Sequence, residues 1–143
     1  MTPDAVLVDT GPLVALISER DSCHLACAEE AKSLQWPFYS CWPVITEATH
    51  LLKAQTNAVQ KLLSWIRLSE IQVLQLSIAD VDPISAILNR YSDQGFDFAD
   101  AALMHLADRE NIQKVFTIDH RHFSVYRTKK RKRLSIVPAI LRP

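Results

Sequence analysis

Near the N-terminus lies the segment Ala5-Val6-Leu7-Val8-Asp9-Thr10-Gly11-Pro12, an apolar run that stops at an aspartate. Its four leading apolar residues have the length and composition of a short buried β-strand. Pro12 suits the first turn of a helix, because its φ angle is already helical and its missing N–H is not needed there. We therefore predict a strand that ends at Asp9 and a helix that follows at once and runs to Ile17.

The same alternation of short apolar runs and helical patterns continues along the chain. Further strands are predicted at residues 38–40, 71–76, 115–118 and 134–137. The helices between them are predicted to begin at or near Ser22, Pro43, Asn57, Asp82 and Asp97. Strands that alternate with helices are typical of a mainly parallel sheet covered on both faces. The sequence thus predicts one three-layer α/β/α domain that spans residues 1–143.

The composition excludes several classes of protein. The 143 residues include only two glycines, Gly11 and Gly95, so a glycine-rich phosphate loop and a dinucleotide-binding fingerprint are absent. The three cysteines show no pairing or metal-ligand pattern, which is typical of a reducing compartment. The N-terminus lacks the basic region of a signal peptide, and no apolar stretch is long enough to span a bilayer. We expect a cytoplasmic protein that does not associate with membranes.

Charge is distributed unevenly along a chain whose formal net charge is zero. All sixteen Asp and Glu residues lie at or before Asp119, whereas eight of the sixteen Lys and Arg residues follow His120. Six of these eight form the basic run, which consists of Arg127, Lys129, Lys130, Arg131, Lys132 and Arg133. Such a run either contacts the phosphates of a polyanion or is a solvated edge of the molecule. Because it follows Asp119 closely and precedes the last strand, we expect it near one edge of the sheet, within reach of the site.

Five acidic residues interrupt or end apolar segments. Asp9 and Asp119 each follow a predicted strand, and Glu47 lies in the first turns of a predicted helix. Asp97 and Asp100 are three residues apart at the start of another helix and so share one face. Ligands of open parallel sheets bind beyond the carboxyl ends of the strands. Carboxylates gathered there would repel one another unless a divalent cation such as Mg²⁺ or Mn²⁺ bound between them.

In these segments the sequence resembles the PIN-domain family of ribonucleases, and more closely the VapC-type toxins of bacterial toxin–antitoxin modules. The resemblance covers residues 5 to 138, and its motifs are residues 8–13 (VDTGPL), 44–48 (VITEA), 97–103 (DFADAAL), 116–119 (FTID) and 119–127 (DHRHFSVYR). It implies a metal-dependent endoribonuclease that hydrolyses RNA phosphodiester bonds and is the toxin of a toxin–antitoxin pair. It also implies a homodimer and a small antitoxin protein that blocks the site.

The resemblance further implies a set of site residues. In the family, four acids gather around one or two divalent ions, and the matching positions in this sequence are Asp9, Glu47, Asp100 and Asp119. Asp9 and Asp100 would bind Mg²⁺ or Mn²⁺ directly. Glu47 and Asp119 would hold water bound to the ion, or a second ion. With RNA as the polyanion, the basic run would contact its phosphates.

Five other residues flank these acids in the sequence. Thr10 follows the first acid and Thr117 precedes the last, as hydroxyl residues commonly do in the family. Asp97 matches an extra acid found in a subset of the family, or it caps its helix. We expect His120 and His122 to be solvated loop residues, with approach to the site or to the RNA as the alternative.

Two other classes of function stay open at this point. The tripeptide at residues 9–11, Asp-Thr-Gly, also occurs in aspartic proteases, but that chemistry needs a second aspartate and normally a β-rich fold. A non-catalytic PIN-like module that binds nucleic acid or protein would be expected to lack one or more of the four acids. Metal-stimulated cleavage of RNA would separate the nuclease from both alternatives.

Overall fold

The computed structural model describes residues 1–139 and shows a sheet of five parallel strands. The strands are β1 (Val6–Val8), β2 (Phe38–Ser40), β3 (Ile71–Val73), β4 (Lys114–Phe116) and β5 (Ser135–Val137). Their spatial order is β3-β2-β1-β4-β5, and each neighbouring pair is parallel. The predicted parallel sheet is confirmed. β3 is shorter than the predicted strand at residues 71–76, because the chain leaves the sheet after Val73 toward a short 3₁₀-helix.

Seven α-helices and one 3₁₀-helix connect these strands within residues 1–139. They are α1 (Thr10–Ile17), α2 (His24–Ser33), α3 (Trp42–Leu52), α4 (Ala58–Arg67), the 3₁₀-helix (Ile78–Asp80), α5 (Val81–Arg90), α6 (Phe98–Glu110) and α7 (His120–Val125). The sequence does not predict α7. The predicted cap at Ser22 is wrong, because Asp21 accepts the Cys23 N–H ahead of α2 (2.8 Å). Nowhere in this range is a helix both long and apolar enough to cross a membrane.

The strand order distributes the helices over both faces of the sheet. β2 and β3 lie on one side of β1, whereas β4 and β5 lie on the other. Because crossover connections between parallel strands are right-handed, α1 to α4 cover one face and α5 to α7 cover the other. This arrangement confirms the predicted three layers. A crevice forms beyond the carboxyl ends of β1 and β4, where the chain leaves the two strands toward opposite faces.

A buried ionic cluster attaches the 3₁₀-helix to α6. Asp80 Oδ1 lies 2.6 Å from His105 Nε2 and accepts a hydrogen bond from Arg109 Nη1 (3.0 Å). Asp80 Oδ2 accepts a hydrogen bond from the Ser77 N–H (2.8 Å). These donors, His105 first, hold the pKa of Asp80 well below its usual range. The cluster therefore anchors the C-terminal half of α6, the helix whose first turn carries Asp100.

Gly11 allows α1 to begin directly against the segment that follows β4. A Cβ at position 11 would overlap Ile118 Cγ1 and lie 2.6 Å from Ile118 Cδ1, which is far inside van der Waals contact. The absence of a side chain here brings the residues after β1 and the residues after β4 together. Gly11 thus sets the width of the crevice.

We predict that Gly11→Ala lowers the free energy of unfolding by about 1–3 kcal/mol, the usual cost of forcing an extra methyl group into a packed site. In an Ile118→Ala background the same substitution should cost much less, because the overlapping atoms are gone. Chemical denaturation of the four proteins measures the coupling. An equal cost in both backgrounds would contradict this explanation.

Candidate active site

Asp9 is held at the junction of β1 and β4 by backbone and side-chain hydrogen bonds. Its N–H donates to the carbonyl oxygen of Phe116 (2.9 Å), which extends the pairing of the two strands. Its Oδ1 accepts the Thr10 N–H (2.8 Å) and caps α1, and its Oδ2 accepts the Thr117 hydroxyl (2.8 Å). The side chain is buried, and Thr117 is fully buried beneath it. Both predicted threonines therefore contact the first acid.

The surroundings of Asp9 disfavour its charged form. Burial raises the pKa of Asp9 to about 7, against the lowering effect of the hydrogen bonds from Thr10 and Thr117, and the nearby charges of Asp100 and Glu47 raise it further. A carboxylate this deeply buried would normally be paired with a cation. Asp9 makes no ion pair within the described part of the chain.

The start of α6 positions Asp100 through a reciprocal cap. Asp97 Oδ1 accepts the Asp100 N–H (2.8 Å), and Asp100 Oδ2 accepts the Asp97 N–H (3.2 Å). Asp97 is thus the N-cap of α6. Burial raises the pKa of Asp100 to about 6, and the charges of Asp97 and Asp119 act in the same direction, whereas the Asp97 N–H and His122 lower it.

Asp119 and His122 approach Asp100 from the other side of the crevice. Asp119 caps α7, since its Oδ1 accepts the His122 N–H (3.1 Å), and its own N–H donates to the Thr117 hydroxyl (2.9 Å). The imidazole Nδ1 of His122 lies 3.0 Å from Asp100 Oδ2 and 2.8 Å from Asp119 Oδ2. The imidazole therefore bridges two of the predicted acids.

Glu47 completes the group from α3. Its Oε2 accepts the Thr10 hydroxyl (3.2 Å), which links it to the residue after Asp9. Unlike Asp9 and Asp100, Glu47 is exposed to solvent. It therefore lies at the mouth of the site rather than in its floor.

These side chains line one cavity of about 240 Å³. Five of its lining residues are acidic and one is a histidine, and none is lysine or arginine: the titratable members are Asp9, Glu47, Asp97, Asp100, Asp119 and His122. Oxygen ligands with one imidazole suit a hard or borderline divalent cation. Such an ion would also supply the positive charge that Asp9 lacks and would offset the repulsion between the neighbouring carboxylates. The residues present thus fit a divalent metal.

Comparison with known proteins identifies the family of this chain. A family model described as PIN domain matches residues 6–129. The chain belongs to the PIN domain family. Ribonuclease VapC26 of Mycobacterium tuberculosis is 26% identical over 135 residues, which cover 93% of this chain and 100% of the relative.

Two solved structures share the fold of this PIN domain. One is Mycobacterium tuberculosis VapC20, described as a toxin that cleaves the sarcin-ricin loop; it has a TM-score of 0.74 and 21% identity over 82% of this chain and 92% of that one. The other is a protein from Pyrobaculum aerophilum, with a TM-score of 0.53 and 21% identity over 87% and 86% of the two chains. The resemblance to the PIN family and to VapC proteins is therefore confirmed.

The basic run of this PIN domain lies away from the acids. Its backbone packs beside the C-terminal half of α6, where the Lys129 N–H donates to Asp108 Oδ1 (3.0 Å). Asp108 is eight residues beyond Asp100, so helix geometry separates the two by about 12 Å. The run precedes β5 and therefore reaches the amino edge of the parallel sheet, opposite the cavity. The run therefore lies at an edge of the sheet, as expected, and a contact between it and a substrate in the cavity stays a prediction.

Members of the basic run differ in how freely they could meet a partner. Arg127 directs its Nη1 to the carbonyl oxygens of Ser124, Val125 and Tyr126, so its guanidinium stabilises the end of α7. Lys129, Lys130, Lys132 and Arg133 line a second cavity, of about 480 Å³, beside residues 111–113. These four side chains form the cationic surface of the run.

His122 is the site residue that sequence reasoning placed in the solvent. The signal that could have located it is the position of His122 three residues after Asp119. The side chain of an N-cap aspartate commonly accepts the backbone N–H of the residue three positions later, so Asp119 could have been predicted to begin a helix that carries His122. A six-residue helix is too short to show apolar periodicity. His120, two residues earlier, does not join the cluster of Asp100, Asp119 and His122.

The raised pKa values predict how stability depends on pH in the presence of a chelator. Asp9 and Asp100 bind protons more tightly in the folded than in the unfolded protein, so the free energy of unfolding should fall as the pH rises from about 4 through 7. Asp9→Asn should flatten this fall and be more stable than wild type at pH 8 by more than about 1.4 kcal/mol, the equivalent of one pKa unit.

Denaturation curves of both proteins at pH 5 and pH 8 measure this difference. Asp80 contributes with the opposite sign, but its effect is confined to acidic pH and is common to both proteins. Parallel pH profiles for wild type and Asp9→Asn would show that ionisation of Asp9 does not cause the loss of stability at high pH.

Proposed function

We propose that this PIN domain is a metal-dependent endoribonuclease that hydrolyses RNA phosphodiester bonds, and that it is the toxin of a toxin–antitoxin pair. The observation that carries the proposal is the convergence of Asp9, Asp100 and Asp119 in one cavity where two of the carboxylates are buried. The relatives support it, because one is named a ribonuclease and another a toxin that cleaves an RNA loop.

The catalytic residues of the proposal are Asp9, Glu47, Asp100 and Asp119. Asp9 and Asp100 would bind Mg²⁺ or Mn²⁺ directly, since both are buried and, among the described residues, only the His122 imidazole beside Asp100 lies within ion-pair distance of either. A divalent ion bound to such carboxylates lowers the pKa of a water molecule and neutralises charge on a phosphate. Thr117 and Thr10 hold Asp9 and Glu47 in place through the hydroxyl contacts described above.

Glu47 is suited to a different task from the buried acids. Its carboxylate is exposed at the mouth of the cavity and is oriented by the Thr10 hydroxyl. A carboxylate held at this position can accept a proton from an attacking water. Asp97 is engaged as a cap, so we assign it the positioning of Asp100 rather than a direct role.

The two alternative classes of function have little support. The parallel sheet with helices on both faces is unlike the β-rich fold of aspartic proteases. A non-catalytic module has no need of four acids around one cavity. We further propose that the protein acts in the cytoplasm as a homodimer and that a small antitoxin blocks the cavity.

We predict that Asp100→Asn abolishes divalent-metal-dependent RNA cleavage while the protein stays folded. The amide oxygen can still accept the Asp97 N–H, so the cap of α6 is kept while the negative charge is lost. Cleavage of a mixed RNA substrate with Mg²⁺, with Mn²⁺ and with EDTA measures activity, and thermal unfolding measures folding.

The matched control is Asp93→Asn, which removes an exposed acid outside the cavity and should leave cleavage unchanged. In cells, expression of wild type should slow growth and expression of Asp100→Asn should not. Full cleavage by purified Asp100→Asn, or cleavage by wild type in EDTA, would overturn the proposal.

We propose that the basic run binds RNA phosphates at a distance from the cavity in which the strand is cleaved. A cavity lined by acids repels a polyanion, so affinity must come from another surface. We predict that changing Lys129, Lys130 and Lys132 together to Gln weakens binding of single-stranded RNA of any sequence. For single strands, each lost phosphate contact should reduce the slope of log affinity against log salt by about 0.7.

Binding is measured at several salt concentrations in an Asp100→Asn background, which prevents cleavage. The control changes three exposed basic residues on other elements, Lys53, Lys61 and Arg67, to Gln. An unchanged slope for the first variant, or an equal change for the control, would show that the basic run is only a solvated edge.

A further inference from the structure

The imidazole of His122 is aimed into the acid cavity by contacts on two sides. The first turn of α7 is fixed by Asp119, whose Oδ1 accepts the His122 N–H. The edge of the imidazole packs against Phe96, with ring centroids 5.2 Å apart and an interplanar angle of 65°. The side chain keeps only 21% of its surface exposed. His122 is therefore an oriented part of the cavity.

The atoms around His122 have the spacing of metal ligands. Nδ1 lies 3.0 Å from Asp100 Oδ2 and 2.8 Å from Asp119 Oδ2. One ligand atom from each of the three residues can be chosen so that all lie within 4.8 Å of one another. In an octahedral site with bonds of about 2.1 Å, neighbouring ligand atoms are about 3.0 Å apart and opposite ones about 4.2 Å apart. The two distances from Nδ1 match neighbouring positions of an octahedron, so the imidazole and the two carboxylates are close enough to share one ion.

We propose that His122 Nδ1 is a ligand of a divalent ion that also takes one oxygen each from Asp100 and Asp119, and that this nitrogen makes the site prefer Mn²⁺ to Mg²⁺. Asp119 then binds an ion directly rather than through water, and Asp100 is shared with the ligand pair of Asp9 and Asp100 proposed above. The proposal rests on the metal dependence proposed above. Oxygen-only sites suit Mg²⁺, whereas imidazole favours transition metals. Mn²⁺ is the transition ion that also accepts a carboxylate-rich site.

A different role for His122 makes a different prediction. If the imidazole only bridged Asp100 and Asp119 and held them in place, its loss would weaken Mg²⁺ and Mn²⁺ binding alike, as losses of orienting partners do. If it is a ligand, its loss weakens Mn²⁺ binding much more than Mg²⁺ binding. The ratio of the two affinities therefore separates a ligand from a bridge.

The experiment uses Mn²⁺ as the probe and the full chain as the protein. Pulsed electron paramagnetic resonance of the Mn²⁺ complex detects a directly bound imidazole through its ¹⁴N coupling. Wild type should show this coupling, and labelling the histidines with ¹⁵N should change it. His122→Phe keeps a ring against Phe96 but has no nitrogen, so it should lose the coupling. His120→Phe, the matched control on the same helix, should retain it.

Titration calorimetry supplies the second measurement. His122→Phe should bind Mn²⁺ at least about tenfold more weakly while its Mg²⁺ affinity changes much less. Bound Mn²⁺ without histidine coupling in wild type, retention of the coupling in His122→Phe, or equal weakening of both ions would overturn the inference, even if RNA cleavage still required a metal. Failure of wild type to bind either ion would overturn this inference and the proposed metal dependence together.

Discussion

The hydrogen bond from the Asp9 N–H to the carbonyl oxygen of Phe116 joins the ends of β1 and β4, and the arrangement of the site follows from it. Because the chain leaves these strands toward opposite faces, no helix can cover the point where they meet. Gly11 lets the two departing segments approach closely, and Thr117 turns its hydroxyl toward Asp9. Asp9 and Asp119 reach one cavity because the ends of β1 and β4, which they follow, are held together by backbone hydrogen bonds.

This placement has an energetic cost that the protein only partly offsets. The Thr10 N–H and the Thr117 hydroxyl stabilise the charge on Asp9, yet burial still raises its pKa to about 7. Sites arranged for catalysis commonly hold carboxylates in environments that perturb their pKa values in this way. A bound divalent ion would stabilise the charged form of Asp9 and offset its repulsion from Asp100 and Glu47. Burial, which disfavours the charge on Asp9 alone, would then strengthen the attraction between the carboxylates and the ion.

Much of the fold, but less of the site, could be predicted from the sequence. β1 is recognisable because a central parallel strand is apolar on both faces, and the acids that follow β1 and β4 must meet at one edge. Approach of His122 to the site was only the alternative to a solvated loop, because α7 is too short to show a periodicity. The basic run lies at an edge of the sheet, as its place in the sequence predicted, but nearness to Asp119 does not say which end of the strands it reaches. Since β5 is parallel to β4, the chain must cross to the amino edge before β5 begins.

Because the acids of the cavity and the basic run lie at opposite edges of the sheet, these two groups form an electric dipole along the strand direction. Its field orients an approaching polyanion, which is drawn to the amino edge and repelled at the carboxyl edge. Filling the acid cavity with a divalent ion weakens the negative pole and leaves the positive one unchanged. If the cavity and the basic run act as proposed, a bound ion would reduce the repulsion of an RNA strand at the carboxyl edge before any bond in the strand is cut.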